Sequence, residues 1–359
     1  MTEYLPEMVE SCSLRFDSDS GYVEIIDQTL LPHQLVWRRL ESLQEYLAAI
    51  ASMQVRGAPL IGITAAYGVA HALRLASSDD ALSAVYAQLL ATRPTAVNLR
   101  WALDVVHDAV LPLPPEQRPA AAFDIAHRLR REDIHNCSLI GEHGLALLRP
   151  LQRKGAVLNI MTHCNAGWLA TIQWGTALAP IYKAHAAGID VHVWVSETRP
   201  RNQGLNLTAW ELQRSGVPYT VVADNSCGYL LSQGQVDAVI VGSDRTAANG
   251  DVCNKVGTYL KALAASAHAV PFFVALPCST IDWRCNNGDE IPIEERSAGE
   301  LLSVCGPDVE GVSREIRLAA HNTPAFNPAF DVTPARLVTR LITEAGSVEA
   351  SAQGLMALR

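Results

Sequence analysis

The 359-residue sequence predicts a mixed α/β protein whose C-terminal part contains a parallel β-sheet. From Gly155 onwards, short apolar segments alternate with helical segments, and this alternation implies parallel strands joined by right-handed crossovers. Before Gly155, helical patterns dominate. A chain of this length commonly forms two domains, so we expect a boundary within or beside a long helical segment at 116–149.

The N-terminal part is predicted to begin with a small antiparallel sheet. Residues 22–27 alternate in polarity as a strand does, and 34–38 could be the partner across the Leu31-Pro32 turn. Ser42 and Glu45 have the spacing of a capping box, which starts a helix reaching about residue 54. Further helices are predicted at 60–76, 81–92, 96–110 with Thr95 as its cap, and 116–149.

The C-terminal part is predicted to contain strands at 156–161, 190–195, 219–222, 238–241 and 272–276. Helices are predicted between them at 169–187, 207–215, 227–232 and 255–267. Ligands bind such sheets beyond the carboxyl ends of the strands. The polar residues expected there are Cys164, Glu197-Thr198-Arg199, Asp224-Asn225, Asp244 and Cys278-Ser279. The absence of G-x-G-x-x-G and G-x-x-x-x-G-K-[ST] argues against a nicotinamide enzyme and a P-loop NTPase.

Cys164 lies in a polar segment, THCNAG at 162–167, between a predicted strand and a predicted helix. A thiol at the start of a helix has its thiolate favoured by the helix dipole. Cys164 is therefore a candidate nucleophile or acid/base group. The alternative is a free cysteine that only packs in the core.

Asp244 follows the apolar strand at 238–241. It could simply cap the next segment, as Asp often does. It could instead face the same cleft as Cys164, where desolvation would raise its pKa towards a value useful for acid/base catalysis.

Three basic residues are candidate phosphate contacts. Arg56 precedes Gly57-Ala58-Pro59 at the start of a helix, where free N–H groups can hold an anion, although a plain turn with a solvated Arg is the alternative. Arg93 is either a surface charge or an anion contact. Lys255 is predicted at a helix start, where its charge opposes the dipole, and this favours a role in holding an anion.

Composition excludes several classes of protein. The net charge of -9 argues against a nucleic-acid or anionic-membrane partner. The eight cysteines form no C-x-x-C and no Cys/His quartet with zinc spacing, so we expect no metal. No apolar run approaches ~20 residues, and residues 1–9 lack the pattern of a secretion signal. We therefore expect a cytoplasmic protein in a reducing compartment.

A series of longer motifs occurs in a specific order: RGAP (56–59), RPTAVNL (93–99), THCNAG (162–167), ETRP (197–200), QG (203–204), LTAWEL (207–212), the run 236–257, STID (279–282) and NPAFDVTP (327–334). With these motifs in this order, the chain resembles the methylthioribose-1-phosphate isomerase family, and the resemblance extends from about residue 24 to about residue 346.

The resemblance implies a Rossmann-like catalytic domain at 144–359 and a smaller, mostly helical N-terminal domain at 1–143. It also implies a homodimer that isomerises a sugar phosphate, 5-methylthioribose 1-phosphate, in methionine salvage without a cofactor or metal. By match to the motifs, Cys164 and Asp244 would be the catalytic pair. The residues expected to hold the substrate are Arg56, Gly57, Ala58, Arg93, Gln203, Asn254 and Lys255.

The sequence leaves several alternatives open. Cys278 and the segment 298–325 depart from the pattern of the family, which leaves the 5′-substituent open, with 5-deoxyribose 1-phosphate and ribose 1,5-bisphosphate as related substrates. A non-catalytic subunit related to the translation initiation exchange factor is the alternative from another class. His163 could be a satisfied loop histidine. Transfer of hydrogen from C2 to C1 through an enediolate or as a hydride is equally compatible with the residues.

Overall fold

The computed structural model describes residues 11–358, so the first nine residues, where we predict no targeting signal, lie outside the described residues. A three-stranded antiparallel sheet comes first, formed by β1 (Leu14–Asp17), β2 (Tyr22–Ile26) and β3 (Trp37–Leu40). The prediction of β2 is confirmed, and a partner strand does follow the Leu31-Pro32 turn, although it lies at 37–40 and not at the predicted 34–38. The four residues of β1 were not predicted, because so short a segment has no clear period.

Five helices follow: α1 (Leu43–Ala51), α2 (Ala58–Leu73), α3 (Asp79–Thr92), α4 (Val97–Val110) and α5 (Arg118–Leu148). The capping box of α1 is confirmed, since the Ser42 backbone N–H donates to Glu45 Oε2 at 2.8 Å. Thr95 as a cap was wrong, because Ala96 occupies the N-cap position of α4. α2 is buried along almost its whole length and packs against α1, α4 and α5.

The next elements in the chain are β4 (Leu158–His163), α6 (Ala179–Ala186), β5 (Val191–Ser196), α7 (Ala209–Arg214), β6 (Tyr219–Val222), α8 (Ser226–Ser232) and β7 (Ala238–Val241). They are followed by β8 (Arg245–Ala247), β9 (Val252–Lys255), α9 (Thr258–Ala267), β10 (Phe272–Ala275), β11 (Ile281–Asp282), α10 (Ala298–Leu302), β12 (Ser303–Pro307) and β13 (Ser313–Arg317). The last elements are β14 (Phe330–Thr333), β15 (Arg340–Thr343), β16 (Gly346–Val348) and α11 (Ala352–Met356).

The central sheet has the order β16-β15-β10-β7-β4-β5-β6. All neighbours from β15 to β6 pair in parallel, and only β16 is antiparallel, which confirms the predicted parallel sheet. From β4 the chain proceeds first to β5 and β6 on one side, and then to β7, β10 and β15 on the other. The direction in which the chain adds strands to the sheet therefore reverses between β4 and β7. Sheets of this type bind ligands in the crevice at the carboxyl ends of the two strands where this reversal occurs.

Two smaller sheets were not predicted. β11, β8, β9 and β14 form a four-stranded sheet beside the crevice, and β12 pairs with β13 in a hairpin within the atypical segment 298–325. Their strands have two to five residues, and in the four-stranded sheet only β8 and β9 are neighbours in the chain, whereas β11 and β14 pair with strands distant in sequence. Pattern within a single short segment cannot reveal such pairing.

Two helix predictions next to the crevice were wrong. The predicted helix at 169–187 begins only at Ala179, because Ile172 is buried in the core of the N-terminal helices and its N–H donates to Asp133 on α5 at 2.7 Å. The predicted helix at 255–267 begins at Thr258. Lys255 is instead the last residue of β9, where it pairs with Phe330 of β14. Tertiary contacts outweigh local helix propensity in both segments.

The single helix α5 crosses from the N-terminal helices to the parallel sheet. It packs against α2 and α4 on one side and against α6 and β15 on the other. It is continuous from Arg118 to Leu148, close to the predicted range of 116–149. The boundary predicted at residue 143 falls within this helix, and the division into two domains stays a prediction.

Candidate active site

A cleft of about 680 Å³, including its open mouth, lies at the carboxyl ends of β4 and β7. The start of α2 and the end of α3 close it on one side, and β9 and the loop before α10 close it on the other. All nine residues predicted to act in the site line this cleft: Arg56, Gly57, Ala58, Arg93, Cys164, Gln203, Asp244, Asn254 and Lys255. Their common location is observed, whereas their roles remain predictions.

Cys164 follows β4 directly and has a left-handed backbone, with φ of 63°. Its N–H donates to Thr198 Oγ1 at 2.8 Å, and its carbonyl accepts from Thr208 Oγ1 at 2.6 Å. The predicted helix start at this position was wrong, so the dipole argument for a thiolate does not apply. Burial raises the pKa of Cys164, and the nearby cations Arg56 and Lys255 oppose that rise without cancelling it.

Asp244 follows β7, and its backbone N–H donates to the Cys253 carbonyl at 3.0 Å. Burial raises the pKa of the Asp244 carboxyl, whereas Lys255, Arg93 and Arg56 lower it to a smaller extent. Asp244 lines the same cleft as Cys164, and its carboxyl has a pKa above that of an ordinary Asp. Both features agree with the second of the two alternatives given for this residue.

Asn254 and Lys255 end β9 beside Asp244. With its amide oriented so that the oxygen accepts from Thr258, Asn254 Nδ2 lies 3.2 Å from Asp244 Oδ2 and 3.3 Å from the Gly242 carbonyl. The Lys255 side chain is buried, and burial lowers its pKa. Lys255 is placed in the cleft by the pairing of β9 with β14, and it does not lie at the start of a helix.

Arg56 is held in the cleft by Asn165, which follows Cys164. Arg56 Nη1 donates to Asn165 Oδ1, and Arg56 Nη2 donates to the Asn165 carbonyl, both at 2.5 Å. Gly57 has φ of 91°, and a Cβ at this residue would lie 2.4 Å from the Ala170 carbonyl oxygen. Only glycine fits here. α2 then begins at Ala58, so the positive end of its dipole lies at the cleft.

Arg93 and Gln203 have buried polar atoms without partners among residues 11–358. Arg93 Nη2 lies 3.4 Å from Glu294 Oε2, a weak contact, while the buried Nε has no partner among the described residues. The buried side-chain oxygen of Gln203 also lacks one. Unsatisfied polar atoms are rare in protein interiors, and they point to a polar ligand here.

The buried carboxylate of Glu211, which was not predicted as a site residue, supports the floor of the cleft. Its oxygens accept from Asn165 Nδ2 at 2.7 Å, Tyr182 Oη at 2.9 Å, and the N–H groups of Trp168 and Leu169 at 2.8 and 3.2 Å. Burial raises the pKa of Glu211 to about 7. An acidic residue within the apolar LTAWEL motif was the available signal.

The other candidates from the sequence bond to backbone groups or line a different cavity. His163 Nε2 lies 2.8 Å from the Val256 carbonyl and donates to it, while Nδ1 lies 3.1 Å from Ser196 Oγ, whose hydroxyl donates to Asp224 Oδ1. Burial, assisted by Lys261, lowers the pKa of His163 to about 3, so the ring is neutral. Asp224 accepts from the N–H groups of Thr198 and Arg199 and shapes the loop after β5. Cys278 and Ser279 line a neighbouring cavity.

Within residues 11–358, His, Cys, Asp and Glu side chains form no group of three or more that could hold a metal ion. In the same range, every helix is too short or too polar to span a membrane. The expectation of a reaction without metal or cofactor remains a prediction.

Comparison with known proteins adds independent information. A family model described as the initiation factor 2 subunit family matches residues 54–350. The chain is similar to the methylthioribose-1-phosphate isomerase of Rhodospirillum rubrum, with 56% identity over 348 residues that cover 95% of this chain and 89% of that protein. It is equally similar to the protein of the same name from Dechloromonas aromatica, with 56% identity and 96% of each chain covered.

Solved structures extend this similarity to the fold. The crystal structure of 5-methylthioribose 1-phosphate isomerase from Pyrococcus horikoshii OT3 superposes with a TM-score of 0.84, at 36% identity over 99% of this chain and 98% of that chain. A structure described as translation initiation factor eIF-2B, subunit delta, from A. fulgidus gives a TM-score of 0.78, also at 36% identity, with 96% and 99% of the two chains covered.

Proposed function

This chain belongs to the initiation factor 2 subunit family and, within it, to the methylthioribose-1-phosphate isomerases, and on that premise we propose how its cleft isomerises the sugar phosphate. The protein is an aldose–ketose isomerase that converts 5-methylthioribose 1-phosphate to 5-methylthioribulose 1-phosphate in methionine salvage. The observation that carries the proposed mechanism is the meeting of Cys164, Asp244 and several cations in one cleft at the reversal point of the sheet.

We propose that the phosphate binds between the cations of the cleft and the start of α2. Arg56, Arg93 and Lys255 provide positive charge for a dianion, and Arg56 is pre-oriented by its two bonds to Asn165. Gly57 and Ala58 bring the backbone of the helix start close to the ligand. Gln203 and Asn254 present amide groups that can bond to phosphate or sugar oxygens.

Asp244 is proposed to move protons during ring opening. The C1–O4 bond of the sugar breaks, O4 gains a proton, and the C2 hydroxyl later loses one as the ketone forms. A carboxyl whose pKa is raised by burial is a better proton donor for the first step than an ordinary Asp, and once ionised it can accept the second proton. Its neighbours Lys255 and Asn254 would stabilise the carboxylate formed in between.

Cys164 is proposed to act at C2, and two routes remain open. In the enediolate route, C2–H leaves as a proton to a base and another proton is added at C1. In the hydride route, the hydrogen passes directly from C2 to C1, and Cys164 only polarises or positions the sugar. Reaction in D₂O separates the two routes, because exchange of the base with solvent places deuterium at C1 only in the first.

Domain closure is a further feature of the proposed mechanism. The N-terminal part contributes Arg56 and Arg93 to the cleft, and closure of two domains, divided near residue 143, would exclude water from the intermediates. We also propose a homodimer that needs no cofactor, as the family resemblance implies, and a cytoplasmic location, as the cysteine pattern of the sequence predicts.

A non-catalytic subunit of the translation initiation type is the second candidate, favoured by the 36% identity to the A. fulgidus structure. Such a subunit has no need for the Cys164–Asp244 pair. The test is an assay of the purified chain against 5-methylthioribose 1-phosphate, 5-deoxyribose 1-phosphate and ribose 1,5-bisphosphate, with nucleotide binding measured in parallel. We expect ketose formation, highest kcat/KM for the methylthio sugar and no nucleotide binding. Nucleotide binding without turnover would favour the second candidate.

A further inference from the structure

Arg296 reaches the cleft from the loop before α10, a loop that the sequence analysis did not connect with the site. It lines the same cleft as Cys164 and Lys255, and its side chain is only 15% exposed. Three contacts orient the guanidinium. Nη1 donates to Glu294 Oε1 at 2.8 Å, Nε donates to Glu300 Oε1 at 3.1 Å, and Nη2 lies 3.0 Å from Met53 Sδ.

Glu294 lies between Arg296 and Arg93. Its Oε1 takes the short bond from Arg296, while its Oε2 is 3.4 Å from Arg93 Nη2. Two guanidinium groups that each face one oxygen of the same anion form a common arrangement for binding carboxylate or phosphate. The long Arg93 contact and the unpartnered Arg93 Nε indicate that Glu294 satisfies this arrangement incompletely.

The backbone that carries Arg296 and Glu294 is tied to the segment before β14. The Arg296 N–H donates to the Asn327 carbonyl at 2.9 Å, and the Ala329 N–H donates to the Glu294 carbonyl at 2.8 Å. Asn327 Nδ2 also donates to the Ser297 carbonyl at 3.0 Å. Because the backbone is held in this way, side-chain rotation is the movement by which the Glu294 carboxylate would leave the space between the two arginines.

The charge balance of the cleft supports exchange of one anion for another. Arg56, Arg93, Lys255 and Arg296 all line it, and the cations at Arg296 and Arg93 add to burial in lowering the pKa of Lys255. Glu294 carries one negative charge, whereas a phosphate monoester carries up to two and offers three acceptor oxygens. A phosphate would therefore satisfy the guanidinium groups better than the carboxylate does.

We propose that Arg296 is a further binding residue for the substrate phosphate, and that the Glu294 carboxylate occupies the phosphate position between Arg93 and Arg296 until the substrate replaces it. The inference rests on the proposed function for the identity of the substrate. It adds two residues to the site and assigns them opposite effects on anion affinity.

The test measures the Kd of inorganic phosphate by calorimetry and the KM and kcat for 5-methylthioribose 1-phosphate. For Arg296→Gln we expect Kd and KM to rise roughly 10- to 100-fold, with a smaller change in kcat, since a charge-assisted contact is lost. Arg296→Lys should recover part of the affinity. Glu294→Gln should lower the Kd of phosphate about two- to tenfold, because it removes the competing charge.

Arg201→Gln is the matched control, because Arg201 Nη1 also bonds Glu300 Oε1, at 2.8 Å, but does not line the cleft. It should change the Kd by less than about twofold. An unchanged Kd in Arg296→Gln, an equal loss in Arg201→Gln, or weaker phosphate binding in Glu294→Gln would each overturn the proposal. If the variants shift the phosphate Kd as expected but wild-type protein does not turn over the sugar, the proposed function fails while the anion site stands.

Discussion

The Cys164 N–H donates a hydrogen bond of 2.8 Å to the hydroxyl of Thr198, which links the loops after β4 and β5. Both residues have left-handed backbones, with φ of 63° and 67°. Such conformations are strained for non-glycine residues, and above all for a β-branched one, and they persist only where surrounding contacts hold them. The Thr198 hydroxyl in turn donates to the Ser196 carbonyl at 2.9 Å. The position of the Cys164 thiol therefore depends on Thr198.

Thr198→Val keeps the side-chain shape but removes the hydroxyl. The Cys164 N–H then stays buried without a partner, so we expect a loss of about 1–3 kcal/mol in the free energy of unfolding. Displacement of the thiol should lower kcat roughly tenfold or more. Denaturant titration and steady-state kinetics measure the two effects. Thr220→Val on β6, which removes an exposed hydroxyl bonded to His192, is the control. Equal kcat in the two variants would remove Thr198 from the positioning of Cys164.

Alkylation tests the environment of Cys164. Because burial raises its pKa, the reactive thiolate is scarce at neutral pH, and inactivation should be slow and accelerate as pH rises. Substrate should protect, since the thiol shares the cleft with the sugar. The exposed Cys305 should be labelled first without loss of activity, and Cys305→Ser provides the control. Mass spectrometry locates the label. Inactivation that follows labelling of Cys253 or Cys278, or that substrate does not slow, would place Cys164 outside the active cleft.

Phosphate binding is tested at two predicted cations. Arg93→Ala and Lys255→Ala should each weaken substrate binding by about 1.5–3 kcal/mol, the value of a hydrogen bond to a charged group. Inorganic phosphate or sulfate should compete with the substrate in wild-type protein and compete less in the variants. Initial-rate inhibition kinetics measure both effects. If KM and phosphate inhibition are unchanged in both variants, the phosphate binds elsewhere.

Stability should depend on pH through Asp133 of α5. Burial raises the pKa of this carboxyl to about 7, well above the ordinary value of an Asp. Because the pKa is higher in the folded protein than in the unfolded chain, the contribution of Asp133 to stability is fully present below the unfolded-state pKa. This contribution is lost as the pH rises towards 7. Asp133→Asn keeps an acceptor for the Ile172 N–H and cannot ionise. The stability of wild type relative to this variant should fall by about 2–4 kcal/mol between pH 4 and pH 8. A constant difference in unfolding free energy across this range would contradict the assignment.

The sequence predicted the central sheet well because its strands are short, apolar and separated by helices. The bounds of β6 and β7 agree with the prediction, and the reversal between β4 and β7 brings Cys164 and Asp244 to one cleft. The physical reasons given for two residues were wrong nevertheless. Neither Cys164 nor Lys255 lies at a helix start, because Ile172 is drawn into the N-terminal core and β9 pairs with β14.

Residues brought into the site by distant contacts could not be predicted. Arg296 reaches the cleft because its loop is bonded to residues 327–329, and no local pattern reports such a contact. Glu211 supports Asn165 across 46 positions of sequence. The role of each residue depends on a contact with a residue far away in the sequence. A strand or a capped helix, in contrast, can be predicted from the pattern of consecutive residues.

The most direct measurement is ketose formation from 5-methylthioribose 1-phosphate, followed by NMR for wild type, Cys164→Ala and Asp244→Asn under identical conditions. We expect turnover by wild type without added metal or cofactor, and a loss of ~10² or more in kcat for each variant, with circular dichroism and thermal unfolding unchanged. Absence of ketose with folded wild-type protein would contradict the proposed function. Near-normal turnover in either variant would remove that residue from the mechanism.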